Sequence, residues 1–559
     1  MINTFFDVHA HTEYSNIRLL DCINHPKELI DRAIELGLSG CSITDHEALC
    51  SHMIVNKYAK EIREKYPDFT IALGNEIYLT DTRDTNQKYY HFILLAKDEL
   101  GYRALKELSS TAWYNVYVDR RMERVPTLKS ELAEIIGKYK GHVIGTSACM
   151  GGELSSNLYG MALAQVAGDN QMAAQYYNNV CRFVEFCISV FGKEDFYIEC
   201  ASSTKADQVM VNKKLRGVAK AYDLKLVVGT DAHYLKKEDR FVHKSYLNSK
   251  GGEREVDDFY EFTYVQSPQE VRENLWVSFN DEADTIDWIF ENSLELKSKI
   301  DFYSLEKHQS IPEVDVKDYP RYMDMEKYGI NDEMLRKIDK QYPILLDLFC
   351  SKNKQERYWV NQCFEALINK GIGLDERYLE RLNEEARVKR VIGEKLQTCM
   401  FAYPNTLQHY IDLFWRCGST VGAGRGSACS GLNHYLLGVT QLDPIEWDLP
   451  FWRYLNDERV ELGDIDIDLA PSKLPRIFKE IREERGEFGL VQVCTFGTEG
   501  TKSAILTACR GYRSEDYPDG IDVDDAQYIS SLVPSERGFL WSLKDLIEGD
   551  PDKGRRPQQ

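Results

Sequence analysis

No stretch of this 559-residue chain approaches the roughly 20 consecutive apolar residues that a membrane-spanning helix requires, so no membrane partner is expected. No basic-then-apolar segment opens it, and no secretory leader is expected either. The fourteen cysteines include no CxxC pair and no regular spacing, which argues against a disulfide framework and suits a reducing, cytoplasmic setting. Positive charge is short, with 69 Lys and Arg against 90 Asp and Glu for a net charge of −21. Phosphate contacts need cations, so the balance weighs weakly against a nucleic-acid partner, although an acidic metal site and a basic groove can share one molecule. Short repeats and low-complexity tracts are missing too. The length exceeds what one core serves, and about two to four domains are expected.

What is present is a set of seven short apolar runs that each end in or beside a His, Asp, Glu or Cys: FFDVHAH, GCSITDH, IALGNEIYL, YHFILLA, HVIGTSAC, FYIEC and LKLVVGTDAH, all before residue 235. Helix-like segments separate most of them, and this β-α order implies parallel strands wound as a barrel. Functional groups of such a barrel collect at the carboxyl ends of the strands. His9 and His11, two apart, would project to one side. Asp45, His46, Glu76, His91, Cys149, Asp231 and His233 stand at other strand ends, with Asp21 on the loop after the first strand. Imidazole and thiolate favour zinc, while carboxylates admit manganese, iron or magnesium and can bridge two ions. Singly each element is weak, since a TDH usually caps a turn and a lone cysteine usually packs. Jointly they predict a metal centre.

A second constellation lies at 419–471. The Gly-rich STVGAGRGSACSGL lets backbone N–H groups approach an anion around Arg425. In the following ERVELGDIDIDLAP, Asp464, Asp466 and Asp468 alternate with Ile465 and Ile467, so a strand there would set three carboxylates on one face. Their mutual repulsion calls for a cation, and magnesium prefers carboxylate oxygen.

HAHTEYS, SITDHEAL, LGNEIYL, HFILLAKDELGYRALKELSS, GTSACMGGEL and GTDAHYLKKED resemble the polymerase and histidinol phosphatase (PHP) domain that opens bacterial and phage DNA polymerase III alpha subunits. The segment VGAGRGSACSGLNHYLLGVTQLDPIEWDLPFWRYLNDERVELGDIDID resembles the palm of the same family. The resemblance implies an α/β multidomain chain: a distorted (β/α)7 PHP barrel over 1–265, a polymerase beta-like mixed α/β palm over 266–470, and the start of a helical thumb over 471–559. It implies up to three zinc, manganese or iron ions on His9, His11, Asp21, His46, Glu76, His91, Cys149, Asp231 and His233, with metal-dependent 3′→5′ exonuclease activity. In the palm it implies two magnesium ions on Asp464 and Asp466, and Gly424, Arg425, Gly426 and Ser427 gripping the incoming triphosphate. Arg453 and Arg459 are candidate phosphate contacts, and Lys502 a candidate DNA contact. Primer-template DNA, dNTPs, a sliding clamp and other replisome subunits are the implied partners. A stand-alone phosphatase of small phosphomonoesters and a non-catalytic scaffold for a proofreading partner are the alternatives. Ala423, Gly463 and Cys429-Ser430 depart from the family, the first two standing where it usually has proline. The family's third palm carboxylate does not occur before Gln559, so a truncated polymerase, inactive alone, is expected.

Overall fold

A computed structural model describes residues 2–84, 87–119, 122–249, 258–282, 284–308, 310–486 and 489–557. The chain divides into two compact units, residues 1–306 with 497–559, and residues 307–496.

The first unit is built on one mixed sheet. Its strands are β1 (Phe6–Asp7), β2 (Gly40–Ile43), β3 (Thr70–Thr80), β4 (Tyr90–Ala96), β7 (Pro126–Leu128), β8 (Val143–Thr146), β9 (Phe196–Ala201) and β10 (Lys225–Gly229), and a separate hairpin is made by β5 (Tyr117–Asp119) and β6 (Met122–Arg124). The order is β1-β2-β3-β4-β8-β9-β10, with β7 paired to β3. All seven expected runs therefore lie in or beside one sheet. β4 departs from the expected parallel arrangement, running antiparallel to both β3 and β8. The physical reason is the connection: no helix stands between β3 and β4 among the described residues, and a parallel return needs a long crossover. The ends of the sheet nearly close. Ala10 bridges Ala232, the His11 N–H donates to the Ala232 carbonyl at 2.9 Å, and the Thr230 N–H donates to Asp7 Oδ1 at 3.0 Å.

The strands are apolar on both faces: Phe92, Leu94, Phe196, Ile198, Leu226 and Val228 meet covering helices on one, and Ile93, Leu95, Ile144, Tyr197 and Val227 pack together on the other. Two of those helices fall beyond the expected boundary at 265. Helix Pro268–Phe279 starts on a capping box, with Ser267 Oγ accepting from the Glu270 N–H and Glu270 Oε2 accepting from the Ser267 N–H. It and helix Asp284–Ser298 bury Val271, Leu275, Phe279, Ile286, Ile289 and Phe290 in the barrel core, and the Phe290 ring stacks on Phe5 at 5.3 Å. That apolar face fixes them to this unit rather than to a palm. Helix Thr501–Gly511 also returns here and packs on helix Arg240–Asn248, where Gly511 sits so close that a Cβ would stand 1.8 Å from the Ser245 carbonyl oxygen.

The second unit is helical among the described residues. Helices Lys354–Asn369, Glu376–Leu396 and Ala402–Arg416 enclose a core around Trp359, Phe364, Leu382 and Phe401. Helix Leu474–Arg485 adds Ile477 and Ile481 to that core, so residues 471–485 belong to this unit and not with 497–559. The connector 308–322 runs without helix or strand among its described residues, Gln309 lying outside them.

Candidate functional site

The nine expected donors converge at the carboxyl-end rim of the barrel. Just past β1, His9 and His11 flank the Ala10–Ala232 bridge, and His46 bridges Glu76 beyond β2. His91 enters from β4, Cys149 follows β8, and Asp231 and His233 follow β10. Three groups each place their donor atoms within 4.8 Å of one another: His11, His46 and His233; His9, His11 and Asp231; and Glu76, His91 and Cys149. Glu76 joins the groups, with Oε2 2.6 Å from His46 Nδ1 and 3.4 Å from His11 Nε2, and Oε1 2.5 Å from His91 Nδ1. Asp21 Oδ2 lies 3.6 Å from His46 Nε2 and 3.7 Å from His233 Nε2. All are buried except His91, which is half-buried.

These contacts are short but not aligned as hydrogen bonds. Both His46 nitrogens, both Glu76 oxygens and Asp21 Oδ1 are buried without a hydrogen-bond partner. Burying such atoms unsatisfied costs several kcal/mol for a charged group, which is the situation a bound cation reverses. The protonation states fit the same role. Burial opposes ionisation of Glu76, yet His91 and His46 hold it well below the usual carboxylate range, and His46 and His233 do the same for Asp21. Burial, reinforced by His46 and His233, pushes His11 down to about 3, leaving its lone pair free to ligate. Burial would also lower His46, but Glu76 and Asp21 raise it to about 10, a proton that a cation would displace.

Asp45, paired with His46 in the sequence, is not among the donors. Its carboxylate accepts from the Thr12 N–H at 2.6 Å, Ser15 Oγ at 2.9 Å and Ser51 Oγ at 2.6 Å, tying the first loop to the second strand end. Several orienting groups carry little signal in the sequence. The His9 Nδ1–H donates to Glu199 Oε1 at 2.7 Å, which turns Nε2 towards His11 and Asp231; Thr146 Oγ1 donates to the other Glu199 oxygen at 2.5 Å. A glutamate inside the apolar run FYIEC was the available signal. His243 donates Nε2–H to the Asp21 carbonyl at 2.6 Å and the Tyr260 hydroxyl donates to Asp21 Oδ2 at 3.2 Å; no local pattern marks either residue. Asp231 itself holds φ +50, a left-handed conformation that non-glycine residues adopt mainly at constrained sites.

In the second unit the Gly-rich loop and the acidic segment adjoin. Gly422 N–H donates to the Asp468 carbonyl at 2.9 Å, and a Cβ on Gly426 would stand 3.2 Å from Asp466 Oδ2. Arg425 reaches Asp466 Oδ2 at 3.7 Å and Asp468 Oδ1 at 3.5 Å, both surface pairs. The expected strand over 464–468 does not form; an isolated bridge, Val421 to Leu469, is what stands there among the described residues. The alternation nonetheless holds, because Ile465 and Ile467 pack on the core while Asp464, Asp466 and Asp468 are exposed. The loop, a 3-10 turn over Gly426–Ser430, is gripped from helix Glu376–Leu396: Arg381 donates to the Ser430 carbonyl at 3.1 Å, and buried Glu385 accepts from the Leu432 and Asn433 N–H groups at 2.6 and 3.0 Å. Arg453 and Arg459 are exposed, Arg459 paired to Glu461 at 2.8 Å. Lys502 lies in the first turn of helix Thr501–Gly511, within the other unit, and nothing in its surroundings marks a DNA contact.

Gly463, one of the departures, has φ +75, and a Cβ there would meet the Tyr454 ring at 2.7 Å. Proline, fixed near φ −65°, cannot adopt this turn. Gly463→Ala is expected to cost about 1–3 kcal/mol of stability in the second unit, read as a lowered denaturant midpoint; an unchanged midpoint would show that the turn relaxes freely.

A nearly closed barrel with a His-, Asp-, Glu- and Cys-lined rim defines the PHP class, and residues 7–203 match the PHP domain family. Residues 345–557 match the bacterial DNA polymerase III alpha NTPase domain. Over these two regions the chain is similar to the PHP domain and to the NTPase domain of bacterial DNA polymerase III alpha. It is 38% identical over 571 residues to the DNA-directed DNA polymerase of Bacillus phage SPbeta and, equally, to the Bacillus subtilis protein YorL, in each case 98% of this chain and 42% of the relative. It is 25% identical to the DNA polymerase III subunit alpha of Aquifex aeolicus, over 98% of this chain and 43% of that one. The chain thus spans about two-fifths of the length of these curated relatives.

Proposed function

We propose that this chain carries two parts of a replicative DNA polymerase: a metal-dependent phosphodiesterase barrel acting 3′→5′ on DNA, and the triphosphate-gripping portion of a palm for template-directed synthesis. The observation that carries the first part is the convergence of eight donors, with Asp21 beside His46 and His233 and with buried, unsatisfied atoms among them. Zinc, manganese or iron, up to three ions, would be held by His9, His11, Asp21, His46, Glu76, His91, Cys149, Asp231 and His233. Such ions supply Lewis acidity toward a phosphoryl group and lower the pKa of water. The chain's own residues set the geometry. Glu76 spans neighbouring donor groups, Glu199 fixes the His9 ring, and the Ala10–Ala232 bridge keeps both strand ends in register. Cys149 would ligate as a thiolate, against the burial that now raises its thiol.

In the palm, Asp464 and Asp466 would hold two magnesium ions, and Gly424, Arg425, Gly426 and Ser427 the triphosphate of a dNTP. Arg425 would exchange its two aspartates for phosphate, an inexpensive step because exposed ion pairs contribute little. Arg453 and Arg459 would serve as outer phosphate contacts and Lys502 as a contact to primer-template DNA. A sliding clamp, other replisome subunits and a cytoplasmic setting follow from the family alone.

The test uses the chain with manganese and a 5′-labelled oligonucleotide. Stepwise shortening from the 3′ end is expected, and Asp231→Asn should slow it by about 100-fold or more, since losing even a partner that only orients a ligand costs about 10–100-fold. Hydrolysis of a small phosphomonoester with no shortening of DNA would instead favour a phosphatase.

A further inference from the structure

A cavity of about 440 Å³ opens beside the metal-ligand rim, and Cys149 and Asp231 belong to both. Met150, Phe259 and Phe262 also line it, with Ser202, Ser203, Gln208, Thr230 and Thr263 as uncharged polar groups. Phe259 is 50% exposed although it sits on a well-anchored turn. That turn, Asp258–Phe262, is held to the barrel by the Tyr234 hydroxyl, which donates to the Tyr260 carbonyl at 2.6 Å and the Glu261 carbonyl at 3.0 Å, and by the His233 N–H, which donates to the Thr263 carbonyl at 2.7 Å. The charged groups at the mouth are already engaged, Lys205 with Glu261 at 2.6 Å and Asp207 with the Tyr159 hydroxyl at 3.2 Å. The cavity thus combines an exposed aromatic ring with two members of the cation-seeking cluster.

A ligand that satisfies both joins a phosphoryl group to a flat aromatic system. We propose that this cavity receives the sugar and base of one unpaired nucleotide, with Phe259 stacking on the base and the phosphate lying at the rim. The inference rests on the phosphodiesterase reading for the identity of the phosphate subsite. The volume is within the range of pockets that hold one small ligand. Stacking on an exposed aromatic ring is tolerant of base identity, so the cavity selects an unpaired end rather than a sequence.

The experiment compares the affinities of 2′-deoxyadenosine 5′-monophosphate and inorganic phosphate for the manganese-loaded chain by calorimetry. The nucleotide should bind at least about fivefold more tightly than phosphate, the low end for one stacked base. Phe259→Ala should remove that difference, and Phe259→Tyr should retain it. Phe259 is half exposed, so both variants are expected to fold, which circular dichroism checks. Equal affinities in the unmodified chain, or a difference that survives in Phe259→Ala, would overturn the proposal. Hydrolysis of bis(p-nitrophenyl) phosphate, measured in parallel, reports on the phosphodiesterase reading separately. Hydrolysis without a nucleotide preference removes the cavity's role and leaves that reading standing. A nucleotide preference without hydrolysis does the reverse.

Discussion

Chelating divalent cations from this chain is expected to lower the melting temperature of the barrel by about 10 °C, and manganese or zinc should restore it. One ion present at a thousand times its Kd stabilises the folded state by about 4 kcal/mol. For a domain of this size each kcal/mol moves the midpoint by about 2–4 °C. The sign follows from the rim itself. Glu76, Asp21 and Asp231 are buried as carboxylates, and neither Glu76 oxygen has a hydrogen-bond partner. Without a cation their charge is offset only by imidazoles that must hold protons against burial. Calorimetry with and without chelator reads the effect, and elemental analysis should return close to three ions per chain. A midpoint indifferent to metal would mean that the imidazoles alone balance the carboxylates.

Replacing Glu385 by alanine is expected to destabilise the second unit by about 3–5 kcal/mol, the range for removing one member of a buried charged network. Glu385 is fully buried on helix Glu376–Leu396 and accepts from the Leu432 N–H, the Asn433 N–H and, at 2.7 Å, the Asn433 side chain. One turn along, Lys389 is also buried, its ammonium 5.6 Å from the Phe451 ring and 5.9 Å from the Tyr454 ring. Burial lowers the lysine and raises the glutamate, so each opposes the other's cost. Alanine would strand three donors and leave Lys389 unopposed. Urea unfolding measures the loss, and a second substitution, Lys389→Met, should recover part of it. A loss below about 1 kcal/mol in Glu385→Ala would show that water replaces the carboxylate.

The clustering of candidate donors was legible because all of them but Asp21 stand in or beside apolar runs, where β/α topology gathers side chains whatever their separation in sequence. His11 and His233 meet across the chain for that reason alone, their ring centroids 4.6 Å apart. The direction of β4 was less accessible, although no helix stands among the described residues between Thr80 and Tyr90. Glu199 was hidden because a single acid in a strand has no periodicity of its own. The strand expected around Asp464 shows the opposite failure: alternation reports which side chains are buried, but a ladder also needs a partner backbone, and local sequence does not contain one. The boundary at 265 failed on similar grounds, since the apolar stripes of Pro268–Phe279 and Asp284–Ser298 say that something is covered without saying what.

The return of Thr501–Gly511 to the barrel also sets an order of events during synthesis. The strands and their donors are complete once His233 has emerged, yet the surface of Arg240–Asn248 that receives Gly511 stays bare while the whole helical unit is being made. Residues 307–496 therefore have to fold, or stay out of the way, as an insertion within a unit whose last piece has not yet left the ribosome.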